Sequence, residues 1–145
     1  MRVRALIPTQ LHLFHQILVQ YESLESGQAE IAQWLDEAET LLNSFSPVGD
    51  QEFFQEQLEK HKSFFLRTFY YKSMLESKNK VHQSILKSLH NTEGIDTSAF
   101  KNKMSQLNQR FQDVVQVSQT WEQVLLLITL NLRNICIIWF NYFSV

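Results

Sequence analysis

Five histidines carry the most obvious chemical potential in this chain, because imidazole binds metal ions and exchanges protons near neutral pH. His12 and His15 are three residues apart and would share one face of a helix, yet no carboxylate or cysteine completes a set of metal ligands there. His61 and His82 fall within an apolar helical pattern, so we expect packed side chains rather than general bases. The sequence predicts no metal site and no cofactor.

Other residue types that support catalysis occur without the partners that catalysis requires. They are the acidic residues Glu37 and Glu39, the turn serines Ser44, Ser46 and Ser98, and the isolated glycines Gly27, Gly49 and Gly94. Paired carboxylates need a cleft, a nucleophilic serine needs a positioned histidine and aspartate, and a phosphate loop needs clustered glycines. No catalytic residues are therefore predicted, and we do not expect an enzyme.

The composition favours a single helical domain. The 145 residues include only 3 glycines and 2 prolines, whereas sheet proteins need turn residues every few positions. The net charge of −2 provides no basic footprint for nucleic acid. Lysines near residues 78–103 are expected to form a solvated face, with a patch for anions as the alternative. Cys136 is the only cysteine, which excludes a disulfide framework and fits a reducing compartment.

Two short segments interrupt the helical pattern. In "SFSPVGD", residues 44–50, Pro47 and Gly49 break the pattern and Asp50 is placed to cap the next helix. In "HNTEGIDTS", residues 90–98, Gly94 can end one helix and Asp96 or Thr97 can begin another. The sequence therefore predicts three long helices, at 10–45, 51–90 and 98–128, which short links would arrange in antiparallel order.

Heptad spacing predicts which side chains of these helices are buried. The predicted core consists of Ile31, Trp34, Leu35, Ala38 and Leu41 in the first helix, Leu58, Phe65, Leu75 and Leu86 in the second, and Leu107, Phe111, Val114 and Trp121 in the third. A sustained alternation of three- and four-residue steps predicts left-handed supercoiling of the helices. The expected fold is an all-α, antiparallel left-handed three-helix coiled-coil bundle.

The second helix is the least regular of the three. Lys72, Asn79 and His82 stand where its apolar seam should run. Its aromatic residues spread over more than one stripe, so some of these rings are expected to be exposed or to meet a partner. We take as candidate interaction residues Phe64, Phe69, Tyr70 and Tyr71.

The segments "WLDEAETLL" in the first helix, "QLEKHKSFF" in the second and "LNQRFQDVV" in the third together resemble a spectrin repeat. Trp34 occupies the tryptophan position of that family, and Phe111 stands where a second tryptophan is usual. The resemblance covers roughly residues 20–125. It implies a single repeat at 20–128, preceded by a lead-in segment at 1–19 that continues the first helix.

The wording of the second helix, "EKHKSFF" followed by "ESKNKVHQSILKSL", is most similar to repeats of the nesprins, with plakin-like and dystrophin-like proteins as alternatives. The chain would then be a fragment or a short isoform of a longer protein. The resemblance implies a non-enzymatic scaffold that links the nucleus or membranes to the cytoskeleton. Its implied partners are neighbouring repeats, actin and other cytoskeletal proteins. The implied location is cytoplasmic and cytoskeletal, or the outer nuclear membrane.

The tail at 124–145 does not fit the repeat pattern, because "VLLLITLNLRNICIIWFNYF" is almost wholly apolar. A membrane helix, a buried or partner-seeking helix end and an accidental terminus all remain open. Arg133 near the centre would cost about 2.5–3.5 kcal/mol on insertion, so a membrane contact through residues 124–143 is not favoured. The alternative function that follows is a small tail-anchored membrane adaptor. At the other end, "MRVRALIPTQ" lacks the features of a signal peptide.

Overall fold

Four α-helices make up the described chain. The computed structural model describes residues 2–90, 92 and 94–143, and for 2–10 and 131–143 it describes the backbone alone. The helices are α1 (Arg2–Ser44), α2 (Gln51–Phe65), α3 (Thr68–Leu89) and α4 (Ser98–Phe143), with no strand among these residues. The predicted all-α, antiparallel left-handed three-helix bundle is confirmed, with α2 and α3 together supplying the middle helical segment.

Two helices are longer than the sequence pattern predicted. α1 begins at Arg2 rather than at residue 10, so the helix continues through Pro8. A proline inside a helix removes its own hydrogen bond, and its ring crowds the carbonyl of the residue four positions earlier. α4 continues to Phe143 rather than ending near residue 128, and no glycine or proline follows Gly94 to stop it.

The middle segment is two helices instead of the one predicted. The interruption lies at residues 66–67, where Leu66 keeps a right-handed helical backbone with φ −57° and ψ −29°. The amide of Leu66 still donates to the carbonyl of Lys62. The helical hydrogen bonding is therefore interrupted after Leu66. The residue types at 66–67 gave no indication of this interruption.

Side-chain caps begin α2 and α4 where the sequence predicted. Asp50 has an extended backbone, and its carboxylate accepts a hydrogen bond of 2.8 Å from the amide of Phe53. Before α4, Gly94 adopts φ +86°, and Asp96 Oδ1 accepts a hydrogen bond of 2.9 Å from the amide of Ser98. Hydrogen bonds from the Ser98 side chain and from its backbone amide lower the pKa of Asp96, because they favour the charged carboxylate.

The chain divides into two compact units, each with helical segments packed around its own core. Unit 1 comprises Met1–Trp34 and Tyr70–Arg110, and unit 2 comprises Leu35–Phe69 and Phe111–Val145. Buried residues of unit 1 include Leu24, Gln28, Ile31, Trp34, Tyr71, Leu75, His82, Ile85, Met104 and Leu107. Those of unit 2 include Leu35, Ala38, Leu42, Phe45, Phe54, Gln57, Leu58, His61, Phe111, Val114, Ser118 and Leu125.

Within the part of the chain whose side chains are described, no helix is long and apolar enough to cross a membrane. The apolar tail predicted at 124–145 lies mostly outside that part, since side chains are described only up to residue 130.

Candidate functional site

The histidine pair of the first helix is solvent-exposed. His12 and His15 are both exposed, and His12 Nε2 lies 3.3 Å from the side-chain amide of Gln16. Among the described residues, no group of three histidine, cysteine, aspartate or glutamate side chains could hold a metal ion. The described side chains do form two packed cores with exposed apolar surfaces beside them.

Trp34 lies in the core of unit 1, where only 3% of its surface is exposed. Its indole stacks on the ring of Tyr71 with centroids 4.8 Å apart and an interplanar angle of 17°. Tyr71 was predicted as an interaction residue, but only 9% of it is exposed, so this assignment needs correction. The reason is that Tyr71 faces α1 from α3 and supplies the stacking partner of the indole.

The other predicted core residues divide into two groups. Ile31, Leu35, Ala38, Leu58, Leu75, Leu107, Phe111 and Val114 are buried, whereas Leu41, Phe65, Leu86 and Trp121 are only half-buried. Leu42 and Ile85 are buried in place of their neighbours Leu41 and Leu86. One residue corresponds to about 100° of helix rotation, so an apolar pair at the edge of a stripe does not reveal which member points inward.

Polar residues in the seam of unit 1 have partners on the facing helix. Asn79 and Asn108 exchange two side-chain hydrogen bonds of 2.8 and 2.9 Å. His82 stacks on Phe100 at a centroid distance of 4.4 Å, and its Nε2 lies 3.4 Å from the carbonyl oxygen of Phe100. Of the irregular positions of the second helix, Asn79 and His82 are matched by α4, whereas Lys72 is exposed. The spacing of one helix could not reveal this pairing.

The seam of unit 2 contains a second polar pair. His61 is fully buried, and its Nε2 lies 2.9 Å from Ser118 Oγ on α4. Its ring is flanked by Phe45 and Phe65 at centroid distances of 5.3 and 4.5 Å. Trp121 packs edge-on against Phe45 at 5.9 Å, which explains why it is half-buried rather than exposed.

The remaining candidate interaction residues differ in exposure. Phe69 is 79% exposed and Tyr70 is 57% exposed, whereas Phe64 is half-buried with its ring edge-on to Phe65 at 5.0 Å. Large aromatic side chains with this exposure are the kind that interfaces bury. Phe69 and Tyr70 therefore remain candidate contact residues on α3.

A second exposed apolar surface lies on the N-terminal part of α1 and was not singled out from the sequence. Leu11, Phe14, Leu18 and Tyr21 are 62%, 61%, 53% and 40% exposed and follow one another at helical spacing; we call them the α1 stripe. Beside it is a groove of about 570 Å³, whose lining includes Phe14, Leu18, Tyr21, Ile85, Leu89, Ile95 and Phe100. The three- and four-residue spacing of these apolar residues was the sequence signal that could have identified this surface.

A lysine crosses α1 within unit 1. Lys78 Nζ donates a hydrogen bond of 2.9 Å to Ser23 Oγ, and the Lys78 stem lies over Gly27, where an added Cβ would collide with it. The absence of a side chain at Gly27 therefore lets Lys78 approach the helix. One N–H of the Lys78 ammonium is therefore engaged with α1.

Residues 20–126 match the spectrin repeat family, and the chain belongs to that family. It is 54% identical over 122 residues to muscle-specific protein 300 kDa of Drosophila melanogaster, covering 84% of this chain and 1% of that protein. It is 25% identical over 115 residues to human microtubule-actin cross-linking factor 1, isoforms 6/7, covering 79% of this chain and 3% of that protein. The chain thus spans a small fraction of these relatives. No solved structure gives a significant match.

Proposed function

We propose that residues 20–128 act as one non-enzymatic spectrin repeat of a long scaffolding protein that links the cytoskeleton to the nucleus or to membranes. The observation that carries this proposal is the family match over 20–126. The stacked and buried Trp34 in unit 1 supports it, since such a helical core supplies mechanical continuity rather than a cleft for substrates. The small share of each relative that the chain covers fits a repeat unit.

Neighbouring repeats are the first partners that we propose. The α1 stripe is apolar and solvent-exposed, and the adjoining groove of about 570 Å³ is lined mainly by aliphatic and aromatic side chains. Repeat arrays bury such surfaces by stacking each unit against the next. Residues 1–19 would then be the lead-in through which this contact is made.

A nesprin-like position at the outer nuclear membrane is the finer part of the proposal. It rests on the wording of residues 59–65 and 76–89, "EKHKSFF" and "ESKNKVHQSILKSL". Immunofluorescence with an antibody raised against this chain tests it in cells that express the endogenous protein. A rim around the nucleus is expected, whereas staining confined to other cytoskeletal structures would contradict the nuclear assignment.

Actin is the second proposed partner. The name of the human relative refers to microtubules and actin, and the exposed rings of Phe69 and Tyr70 are available for a helix-face contact on this chain. Interface energy is typically concentrated in a few aromatic side chains of this kind. Binding through them would not require the polar pairs of the core to separate.

Cosedimentation of the 145-residue chain with actin filaments and, separately, with microtubules tests this contact. We expect the chain to pellet with actin, and we expect Phe69→Ser or Tyr70→Ser to weaken binding about tenfold or more. Val48→Ser is the matched control, because Val48 is also 79% exposed but lies in the link between α1 and α2. If the wild-type chain stays in the supernatant with both filaments, the filament-binding part of the proposal is wrong.

A further inference from the structure

His61 combines complete burial with an incomplete set of hydrogen bonds. None of its surface is exposed, and its Nε2 lies 2.9 Å from Ser118 Oγ. The other ring nitrogen, Nδ1, is buried and has no hydrogen-bond partner among the described residues. The aromatic rings of Phe45, which directly follows α1, and of Phe65 at the end of α2 lie close to the imidazole. The surroundings therefore suit an imidazole with a single N–H.

The neutral form fits this environment because one proton on Nε2 can be donated to Ser118 Oγ, leaving only a lone pair on Nδ1. Protonation adds an N–H at Nδ1, where no acceptor lies among the described residues, and it places a positive charge where water is excluded. Glu122, one turn beyond Ser118 on α4, is the carboxylate that acts on the ring and favours the charged form. Burial outweighs this attraction and lowers the pKa of His61 below its ordinary value of 6.5.

We propose that His61 is an acid-sensitive latch in unit 2: its protonation requires the α2–α4 contact at Ser118 to open locally. This property goes beyond the scaffolding role and does not depend on it. Because the folded state holds the proton less tightly than the open state, the latch is fully closed above the ordinary histidine pKa. Closure weakens as the pH falls below 6.5 toward the lower pKa of the folded state.

Hydrogen exchange of the wild-type chain measured between pH 7.5 and pH 5 tests the latch. After correction for intrinsic exchange rates, protection of the α2 amides around His61 should fall with decreasing pH. The fall should be at most about tenfold per pH unit, since opening takes up one proton. Protection that stays constant over this range would overturn the proposal.

A ¹⁵N-histidine NMR titration of the same chain examines the ring directly. At pH 7.5 the His61 ring should be the tautomer with its proton on Nε2. It should gain its second proton only together with loss of α2 protection. A His61 ring that becomes protonated while α2 protection is retained would overturn the latch, and this experiment requires no variant to fold.

Variants separate His61 from the other titrating groups. His61→Gln keeps a polar group beside Ser118 but cannot take up a proton, so the pH dependence of α2 protection should disappear. His82→Gln is the matched control, because His82 is also buried but has a carbonyl oxygen 3.4 Å from its Nε2. This control should retain the acid-dependent loss around His61. An unchanged pH dependence in His61→Gln would assign the effect to other groups.

Discussion

At the residue scale, the core of unit 1 combines aliphatic side chains with aromatic and polar pairs. Trp34 stacks on Tyr71, and His82 stacks on Phe100, in unit 1. Stacked rings require a particular relative orientation, so these pairs constrain how the helices pack more than leucines would. Asn79 and Asn108 satisfy each other across the same seam. Such pairs determine which residues of facing helices stand opposite each other.

Replacing Trp34 with alanine should lower the free energy of unfolding by about 3–5 kcal/mol, because the substitution leaves a cavity beside the ring of Tyr71. Urea denaturation followed by circular dichroism measures the change. Phe69→Ala is the control at an exposed aromatic position and should change stability by less than about 0.5 kcal/mol. A loss below about 1 kcal/mol for Trp34→Ala would show that the indole does not support the core.

The reciprocal hydrogen bonds of Asn79 and Asn108 predict that substitutions at these two residues have non-additive effects on stability. Asn79→Leu should cost about 1 kcal/mol, at the low end of the range for an orphaned amide, because both asparagines are only half-buried. Adding Asn108→Leu should recover most of that loss, since neither amide is then left without its partner. Thermal unfolding of the wild type, the two single variants and the double variant gives the interaction free energy of the pair from a double-mutant cycle. Strictly additive losses would mean that the reciprocal hydrogen bonds do not couple the two residues.

At the scale of the elements, caps and backbone conformation decide where helices begin. Asp50 caps α2 with its carboxylate, and Asp96 accepts from the first amide of α4. These short polar residues act because the first amides of a helix have no partner within it. The interruption between α2 and α3 has no comparable marker, since it contains neither proline nor glycine.

Gly94 provides the test at this scale. Its φ of +86° lies in the left-handed region. Among the described residues other than its chain neighbours, no atom lies within 4 Å of the position that a Cβ would occupy. Gly94→Ala should therefore cost about 1–2 kcal/mol through backbone strain alone. Gly94→Asn should cost less, because asparagine enters this region more readily. Equal stability of the alanine variant and the wild type in urea denaturation would contradict the conformation.

At the scale of the whole molecule, the exposed apolar surfaces indicate how the chain associates with other proteins. The α1 stripe and its groove are apolar, whereas residues 36–40 of the same helix carry the carboxylates of Asp36, Glu37 and Glu39. Exposed apolar surface of this extent favours association with another helical surface. The chain tested alone should therefore self-associate in a concentration-dependent manner.

Phe14→Gln combined with Leu18→Gln should weaken that self-association by more than about tenfold, since each apolar side chain contributes about 1.5–3 kcal/mol when fully buried. Sedimentation velocity over a range of concentrations measures the shift. Val48→Gln, at an exposed position remote in sequence from the stripe, should leave association unchanged. If the double variant associates as strongly as the wild type, the contact lies elsewhere on the chain.

Much of the fold followed from residue patterns alone. Few glycines and prolines, heptad spacing and the caps at Asp50 and before Ser98 determined an all-α chain with three helical segments. Trp34 was assigned to the core because it shares a helical stripe with the apolar residues Ile31, Ala38 and Leu41, and the structure buries it. These features depend on local chain geometry, in which periodicity reports directly on the buried face.

Only the tertiary structure decided which side chains meet. Leu42 rather than Leu41 is buried, Tyr71 packs under the indole rather than facing solvent, and His61 finds Ser118 from 57 residues away. The rotation of each helix about its axis sets these pairings, and it depends on the shape of every facing side chain. A periodic pattern identifies a face to within about one residue, whereas hydrogen bonds and ring stacking require positions correct to within an ångström.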